Sequence, residues 1–143
     1  MTVSRILAEK GRDVFTTQPY RTLKEVIDML AAKGVGAVVV ADASMNVLGI
    51  LSERDIVRVL AQHGAAALDD QVSRHMTPKV VTVTRDATID HLMETMTEGR
   101  FRHLPVVEDG RLIGIVSIGD VVKRHVSAID NERQALREYI TTA

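Results

Sequence analysis

Two four-residue segments carry the side chains best placed to do chemistry: Ser52-Glu53-Arg54-Asp55 and Ser117-Ile118-Gly119-Asp120. Each sets a hydroxyl three residues before a carboxylate, directly after a hydrophobic stretch and at the start of a helical pattern. A carboxylate there can accept hydrogen bonds from two vicinal hydroxyls, as in a ribose diol. The serine hydroxyl and the N–H groups of a helix start suit phosphate oxygens. The same residues also read as an ordinary helix start, with serine as N-cap and an acid at N3. The acid is Asp both times, whereas Glu or Gln has the longer reach for a reciprocal capping bond, and this favours a ligand role. So does the position after a final strand, where α/β folds bind ligands.

The surroundings of the two segments differ. Arg54 stands where the second segment has Gly119. Arg100, Arg102 and His103 precede the second central strand, where the first copy has Gly34, Gly36 and Ala37. Cations from both halves could therefore converge on an anionic group, or simply form a solvated face. An enzyme reading has little support: there is no His-Glu-x-x-His and no Gly-x-x-x-x-Gly-Lys-Ser/Thr, and Gly34-Val35-Gly36 lacks the third glycine of a dinucleotide fingerprint. His63, His75, His91, His103 and His125 show no close ligand spacing. The basic residues Lys123, Arg124 and His125 fall at an expected helix C-terminus, where they complement its dipole.

The paired segments belong to a duplication of nearly the whole chain. Val3-Ser4-Arg5 recurs as Val72-Ser73-Arg74, an offset of 69; Thr22-Leu23 recurs as Thr88-Ile89, an offset of 66. Gly49-Ile50-Leu51-Ser52 recurs as Gly114-Ile115-Val116-Ser117, an offset of 65. The first copy thus carries three extra residues early and one extra in its later turn.

Each copy reads as β-α-β-β-α. The expected first strands are Asp13 to Thr17 and Lys79 to Thr84. Helices follow from Thr22, capped through Glu25 with Leu23, Val26, Ile27 and Leu30 on one face, and from Thr88 with Ile89, Leu92, Met93 and Met96. Hairpins pair Val38–Ala41 with Val47–Leu51, and Leu104–Val107 with Arg111–Val116 across Asp109-Gly110, a strong turn signal. Closing helices span Glu53–Gln62 and Ile118–Val126. The expected fold is α/β (α+β), two repeats packed about a pseudo-two-fold axis. Residues 1–63 form the first repeat, 64–71 an Ala- and Asp-rich linker, 72–128 the second repeat and 129–143 a helical tail with Leu136, Tyr139 and Ile140 on one face.

Composition bounds the function further. Apolar residues at 45% supply a core, and with two Phe, two Tyr and no Trp the aliphatic side chains must do the packing. A net charge of −1 gives no pull toward nucleic acid or anionic membranes. The absence of cysteine excludes disulfides, thiolate metal sites and Cys nucleophiles. No apolar run is long enough to span a bilayer, and charges from Arg5 to Asp13 interrupt any signal-like stretch, so a cytoplasmic location is expected.

The element order, the Gly-Ile-Leu-Ser-x-x-Asp-Ile and Gly-Ile-Val-Ser-x-x-Asp-Val segments, and Arg102-His103-Leu104-Pro105-Val106-Val107 together resemble a tandem pair of CBS domains, the cystathionine β-synthase type of repeat. The resemblance spans about residues 3 to 126. It implies a regulatory module that binds adenosyl ligands between the repeats and commonly dimerises. It also implies that Asp55 and Asp120 hold ribose hydroxyls, and that Ser52 and Ser117 contact phosphate or ribose. Thr16 and the stretch of Lys79, Val81 and Thr82 would border the adenine, flanked by Val38 and Leu104, while Arg54, Arg102 and His103 would meet phosphates. The first copy departs from the Leu-Pro-Val pattern with Val38-Val39-Val40 and lacks a base beside it.

The expected function is a non-catalytic, stand-alone nucleotide-binding module for AMP, ADP, ATP or an NAD-type ligand. It would have no catalytic cofactor, would form a homodimer and would signal energy or redox state to a separate regulated protein. The alternative is a structural dimerisation adaptor with vestigial clefts. Neither membrane nor nucleic acid is an expected partner.

Overall fold

The computed structural model describes residues 1–11 and 14–142. Its elements run α1 (Val3–Lys10), β1 (Thr16–Thr17), α2 (Leu23–Lys33), β2 (Ala37–Ala41), β3 (Val47–Ser52) and α3 (Glu53–His63) in the first copy. The second copy runs α4 (Val72–His75), α5 (Ile89–Gly99), β4 (His103–Glu108), β5 (Arg111–Ser117) and α6 (Ile118–Thr142). A 3₁₀ helix over Ala65–Asp69 joins them and buries Ala67.

The duplication extends to the register. β1 pairs in parallel with β2 (Thr16 opposite Val39), and β2 pairs antiparallel with β3 (Val39 opposite Ile50), with a bulge between Val40 and Ala41. β4 pairs antiparallel with β5 (Pro105 opposite Ile115), and its bulge falls at the equivalent Val106 and Val107. The strand expected over Lys79–Thr84 is not formed. Only Val83 makes a parallel bridge, to Val106, with N–H···O distances of 3.0 Å to Pro105 and 2.9 Å from Val107. Val80 and Val81 have β-branched side chains, but no residue from Lys79 to Thr82 pairs with a neighbouring strand. In the first copy the expected strand shortens to Thr16–Thr17, and Asp13 lies outside the described residues.

Helix α6 also differs from expectation. It runs unbroken for 25 residues, so the closing helix and the tail are one element. Between Gly119 and Ala143 there is no Gly or Pro to stop it. Leu136, Tyr139 and Ile140 lie exposed along its far half. Among the described residues no helix is long and apolar enough to cross a membrane.

The cores are assembled crosswise. Val3, Ile6 and Leu7 of α1 pack with Leu92, Met96, Leu104, Val106, Val116 and Val121 of the second copy. Val72 and Met76, at and beyond α4, pack with Leu23, Val26, Val38, Val40, Leu51 and Ile56 of the first. The backbone repeats the exchange: Val3 and Ser4 N–H donate to Ala87 and Arg85 carbonyls (both 2.9 Å), while Val72 and Ser73 donate to Arg21 and Pro19 (2.7 and 3.0 Å). Each crossing passes over a glycine. A Cβ on Gly114 would lie 2.8 Å from Leu7 Cδ2, and one on Gly49 would lie 2.5 Å from Met76 Sδ and 2.9 Å from the Thr77 carbonyl oxygen.

Helices α2 and α5 end in the left-handed region, on Gly34 (φ 64°) in the first copy and on Arg100 (φ 57°) in the second. Glycine adopts that conformation freely and arginine does not. Two substitutions should therefore act in opposite directions. Gly49→Ala drives a methyl into the Thr77 backbone and should destabilise the chain by about 1–3 kcal/mol. Arg100→Gly relieves a left-handed residue and should stabilise it by about 1 kcal/mol, roughly 3 °C in melting temperature. Thermal melts of both variants check this, and a lowered melting point for Arg100→Gly would contradict it.

Candidate functional site

Both Ser-x-x-Asp segments begin a helix directly from the last strand of a hairpin. At the first, Asp55 Oδ2 accepts from the Ser52 backbone N–H (2.9 Å) and the Ser52 hydroxyl (2.9 Å), while Asp55 N–H donates to Ser52 Oγ (3.2 Å). At the second, Asp120 Oδ2 accepts from Ser117 N–H (2.9 Å) and Oγ (3.0 Å), and Asp120 N–H donates to Ser117 Oγ (3.2 Å). Aspartate therefore closes the reciprocal box in full, although Glu or Gln has the longer reach, so the choice of Asp does not by itself argue for a ligand role. The extended Ser52 backbone (φ −102°, ψ 163°) brings its N–H within reach of the shorter side chain. The strand-to-helix step is fixed in each copy by one more bond, from Glu53 N–H to the Gly36 carbonyl (2.9 Å) and from Ile118 N–H to the Arg102 carbonyl (2.8 Å).

The capped carboxylate keeps a second oxygen. In the first copy Asp55 Oδ1 meets Arg58 Nη1 at 3.4 Å, and both residues line a cavity of about 370 Å³. That volume falls within the range that holds small-molecule ligands. The first copy contributes Gly36, Ile50, Ser52, Glu53, Arg54, Asp55 and Arg58 to its lining. Across from them lie Thr77, Lys79, Val80, Val81 and the run from Gly99 to His103, all from the second copy. Both halves are therefore needed to form it. Five cationic side chains (Arg54, Arg58, Lys79, Arg100 and Arg102) line it against two carboxylates, Glu53 and Asp55, so it favours an anion. Ile50, Val80, Val81 and Phe101 add apolar surface, and the Phe101 ring lies so close over Gly99 that a Cβ there would be overlapped.

Of the residues singled out from the sequence, the structure brings Ser52, Arg54, Asp55, Lys79, Val81, Arg102 and His103 together in this lining. Thr82 follows Val81 on an exposed stretch outside it. Val38 and Leu104 are wholly buried in β2 and β4 and belong to the two cores, behind the cavity rather than facing it. Thr16 lies half-buried in β1, and Ser117 and Asp120 stand at the start of α6, all three outside this lining. Glu53, Arg58 and Phe101 were not anticipated. Phe101 carried a signal, as one of only two Phe in the chain and next to Arg100 and Arg102.

His103 opens β4, half-buried, and its Nε2 would lie 3.5 Å from a Cβ on Gly36, with Glu53 Oε1 3.4 Å from the same point. Burial holds its pKa below the ordinary 6.5, against the opposing pull of Glu53, with smaller influences from Lys10, Asp120 and Arg102. The ring is thus neutral near pH 7 and can both donate and accept. Burial alone would raise the Asp120 carboxyl, but hydrogen bonds from Lys10 and Ser117 outweigh it and hold the group below the usual carboxylate range. Among the described residues no three or more His, Asp or Glu side chains gather as a metal site would require.

Comparison with known proteins agrees with this architecture. The CBS domain family matches residues 3–62 and 71–127. The mitochondrial CBS domain-containing protein CBSX3 of Arabidopsis thaliana is 34% identical over 149 residues, covering 97% of this chain and 71% of that one. The crystal structure of a CBS-domain containing protein from Agrobacterium tumefaciens superposes with a TM-score of 0.84 at 52% identity, covering 87% of this chain and 99% of that one. A CBS domain protein from Pyrobaculum aerophilum, solved complexed with AMP, superposes with a TM-score of 0.75 at 28% identity, covering 84% and 89%. Two matched segments, a duplicated register and the crosswise cores lead to one conclusion: the chain belongs to the CBS domain family and carries a pair of its domains.

Proposed function

We propose that this chain is a non-catalytic regulatory module that binds an adenine nucleotide in the Asp55 cavity and reports energy or redox state to a separate protein. The observation that carries this reading is the make-up of the cavity: one capped carboxylate at a helix start, an apolar wall and an excess of cations, drawn from both repeats. Asp55 Oδ1 can accept from the ribose diol. Ile50, Val80, Val81 and Phe101 can sandwich the base, and Arg54, Lys79, Arg100, Arg102 and His103 can take the phosphates. The relative solved with AMP supports the adenosyl class. AMP, ADP, ATP and NAD-type ligands share these groups.

The test is thermal melting of dialysed protein with AMP, ADP, ATP or NAD. A ligand at about 100 times its dissociation constant stabilises by roughly 2.7 kcal/mol, a rise of several degrees. Asp55→Ala should lose about 1 kcal/mol of helix capping without ligand and should also lose the nucleotide-induced rise. No shift with any of the four, together with no heat in direct titration, would overturn the proposal.

A second reading, self-association, rests on a different observation. Val122, Val126, Ile129, Leu136 and Ile140 are exposed on α6 at spacings of 4, 3, 7 and 4 residues, with Arg133 at the omitted position. That is the period of a two-helix seam, which one polar residue can hold in register. The module would then be a homodimer joined through this helix. Light scattering should give twice the chain mass for the wild type and the single-chain mass for Ile129→Glu combined with Leu136→Glu. A monomeric wild type, or a variant that remains dimeric, rejects it.

A further inference from the structure

The second carboxylate is not presented as the first is. Lys10, the last residue of α1, donates from Nζ to Asp120 Oδ2 at 2.6 Å and to the Ile115 carbonyl at 3.0 Å. Both side chains of the pair are partly enclosed, 26% and 18% exposed. At the equivalent place in the first copy Ile50 exchanges backbone hydrogen bonds with Thr77 (3.1 and 2.9 Å), and among the described residues the cation paired with Asp55 is the exposed Arg58, at 3.4 Å. The ammonium of Lys10 thus takes a backbone acceptor at the edge of β5 and the carboxylate that corresponds to Asp55 at the same time.

The cause lies in the three extra residues of the first copy. Helix α4 stops at His75, ahead of Thr77-Pro78, since a residue before proline is disfavoured in the helical region. Helix α1 meets no proline and continues to Lys10, ending at Gly11 (φ 91°). The added turn is seated by Leu7 against Gly114, and Glu9 Oε2 stands 3.3 Å from Arg124 Nε of α6.

We infer that Lys10 is a built-in occupant of the second cleft, the place beside Asp120 that corresponds by the repeat to the Asp55 cavity, holding the Asp120 carboxylate so that the chain takes one nucleotide, at Asp55, until the last turn of α1 is displaced. The consequence for nucleotide stoichiometry rests on the nucleotide reading above; the occupancy by Lys10 does not. A ligand entering the second cleft must replace a close, partly enclosed ion pair, whereas at Asp55 it meets a more exposed one.

Two measurements separate these statements. In the first, the chain is treated with an amine-acylating reagent and read by mass spectrometry. Lys10 should react several-fold more slowly than the exposed Lys79, and should match it in Asp120→Asn, whose amide can still cap the helix. In the second, titration with AMP should give one site in the wild type, two in Lys10→Met, and one in Lys10→Met combined with Asp55→Ala. Lys10 reacting as fast as Lys79, two AMP sites in the wild type, or a single site in Lys10→Met would each overturn the inference. No AMP binding to either wild type or Lys10→Met would overturn the nucleotide reading, and the acylation contrast would still decide whether Lys10 fills the cleft.

Discussion

The contact on which the rest of the structure depends is the passage of each copy's leading segment over a glycine in the other copy. Leu7 crosses Gly114, and Met76 with the Thr77 carbonyl crosses Gly49. The glycines sit at equivalent places in β5 and β3; a larger residue at Gly49 would meet the Thr77 backbone, and one at Gly114 would force the Leu7 side chain to shift. Through these contacts Val3, Ile6 and Leu7 complete one core, and Val72 and Met76 the other. A single three-stranded unit of this kind would leave an apolar face uncovered. Exchange of leading segments covers both faces at once, so the halves fold as one body and the cavity between them is defined as firmly as the cores.

This construction explains why helix capping and ligand chemistry fall on the same residues. The capping box ties Ser52 to Asp55 through three hydrogen bonds, which fixes the carboxylate direction before any ligand arrives. Only Oδ2 is used for this, and Oδ1 is left to Arg58, which also lines the cavity. A preset carboxylate loses little rotamer freedom on binding. The ordinary helix start and the ligand-facing acid are thus two uses of one geometry rather than competing explanations.

Much of the fold was legible because its signals are local. Thr22 and Thr88 cap the helices expected of them, and Asp109-Gly110 turns the second hairpin with positive φ at both residues. The equivalence of the copies was legible from offsets alone, and the structure adds a bulge at the same place in each. The strand over Lys79–Thr84 failed because strand formation needs a partner as well as β-branched residues, and Val80 and Val81 line the cavity instead. The helical tail was separated from its helix by a boundary that no residue marks. Val38 and Leu104 look like cleft walls in a motif, yet the alternation of a strand places them on the core side. Lys10 was illegible for a further reason: its role depends on helix length, crosswise packing and the position of a residue 110 positions away.

The duplicated fold therefore yields two unequal sites from nearly equal backbones. Around Asp55 the second copy supplies Lys79, Arg100 and Arg102, whereas the first copy offers Gly34, Gly36 and Ala37 at the places corresponding to Arg100, Arg102 and His103. At Asp120 a cation comes instead from α1, and it is bound within the chain rather than presented to a ligand. His103 lies between these environments. It lines the Asp55 cavity and also feels the charges of Lys10 and Asp120. Its burial favours the neutral imidazole, so the positive potential of the cavity comes from its guanidinium and ammonium groups. An ion pair in one cleft and a half-buried ring in the other are thus parts of one electrostatic system. Identical repeats could not build such a system, because symmetry would give both carboxylates the same partner.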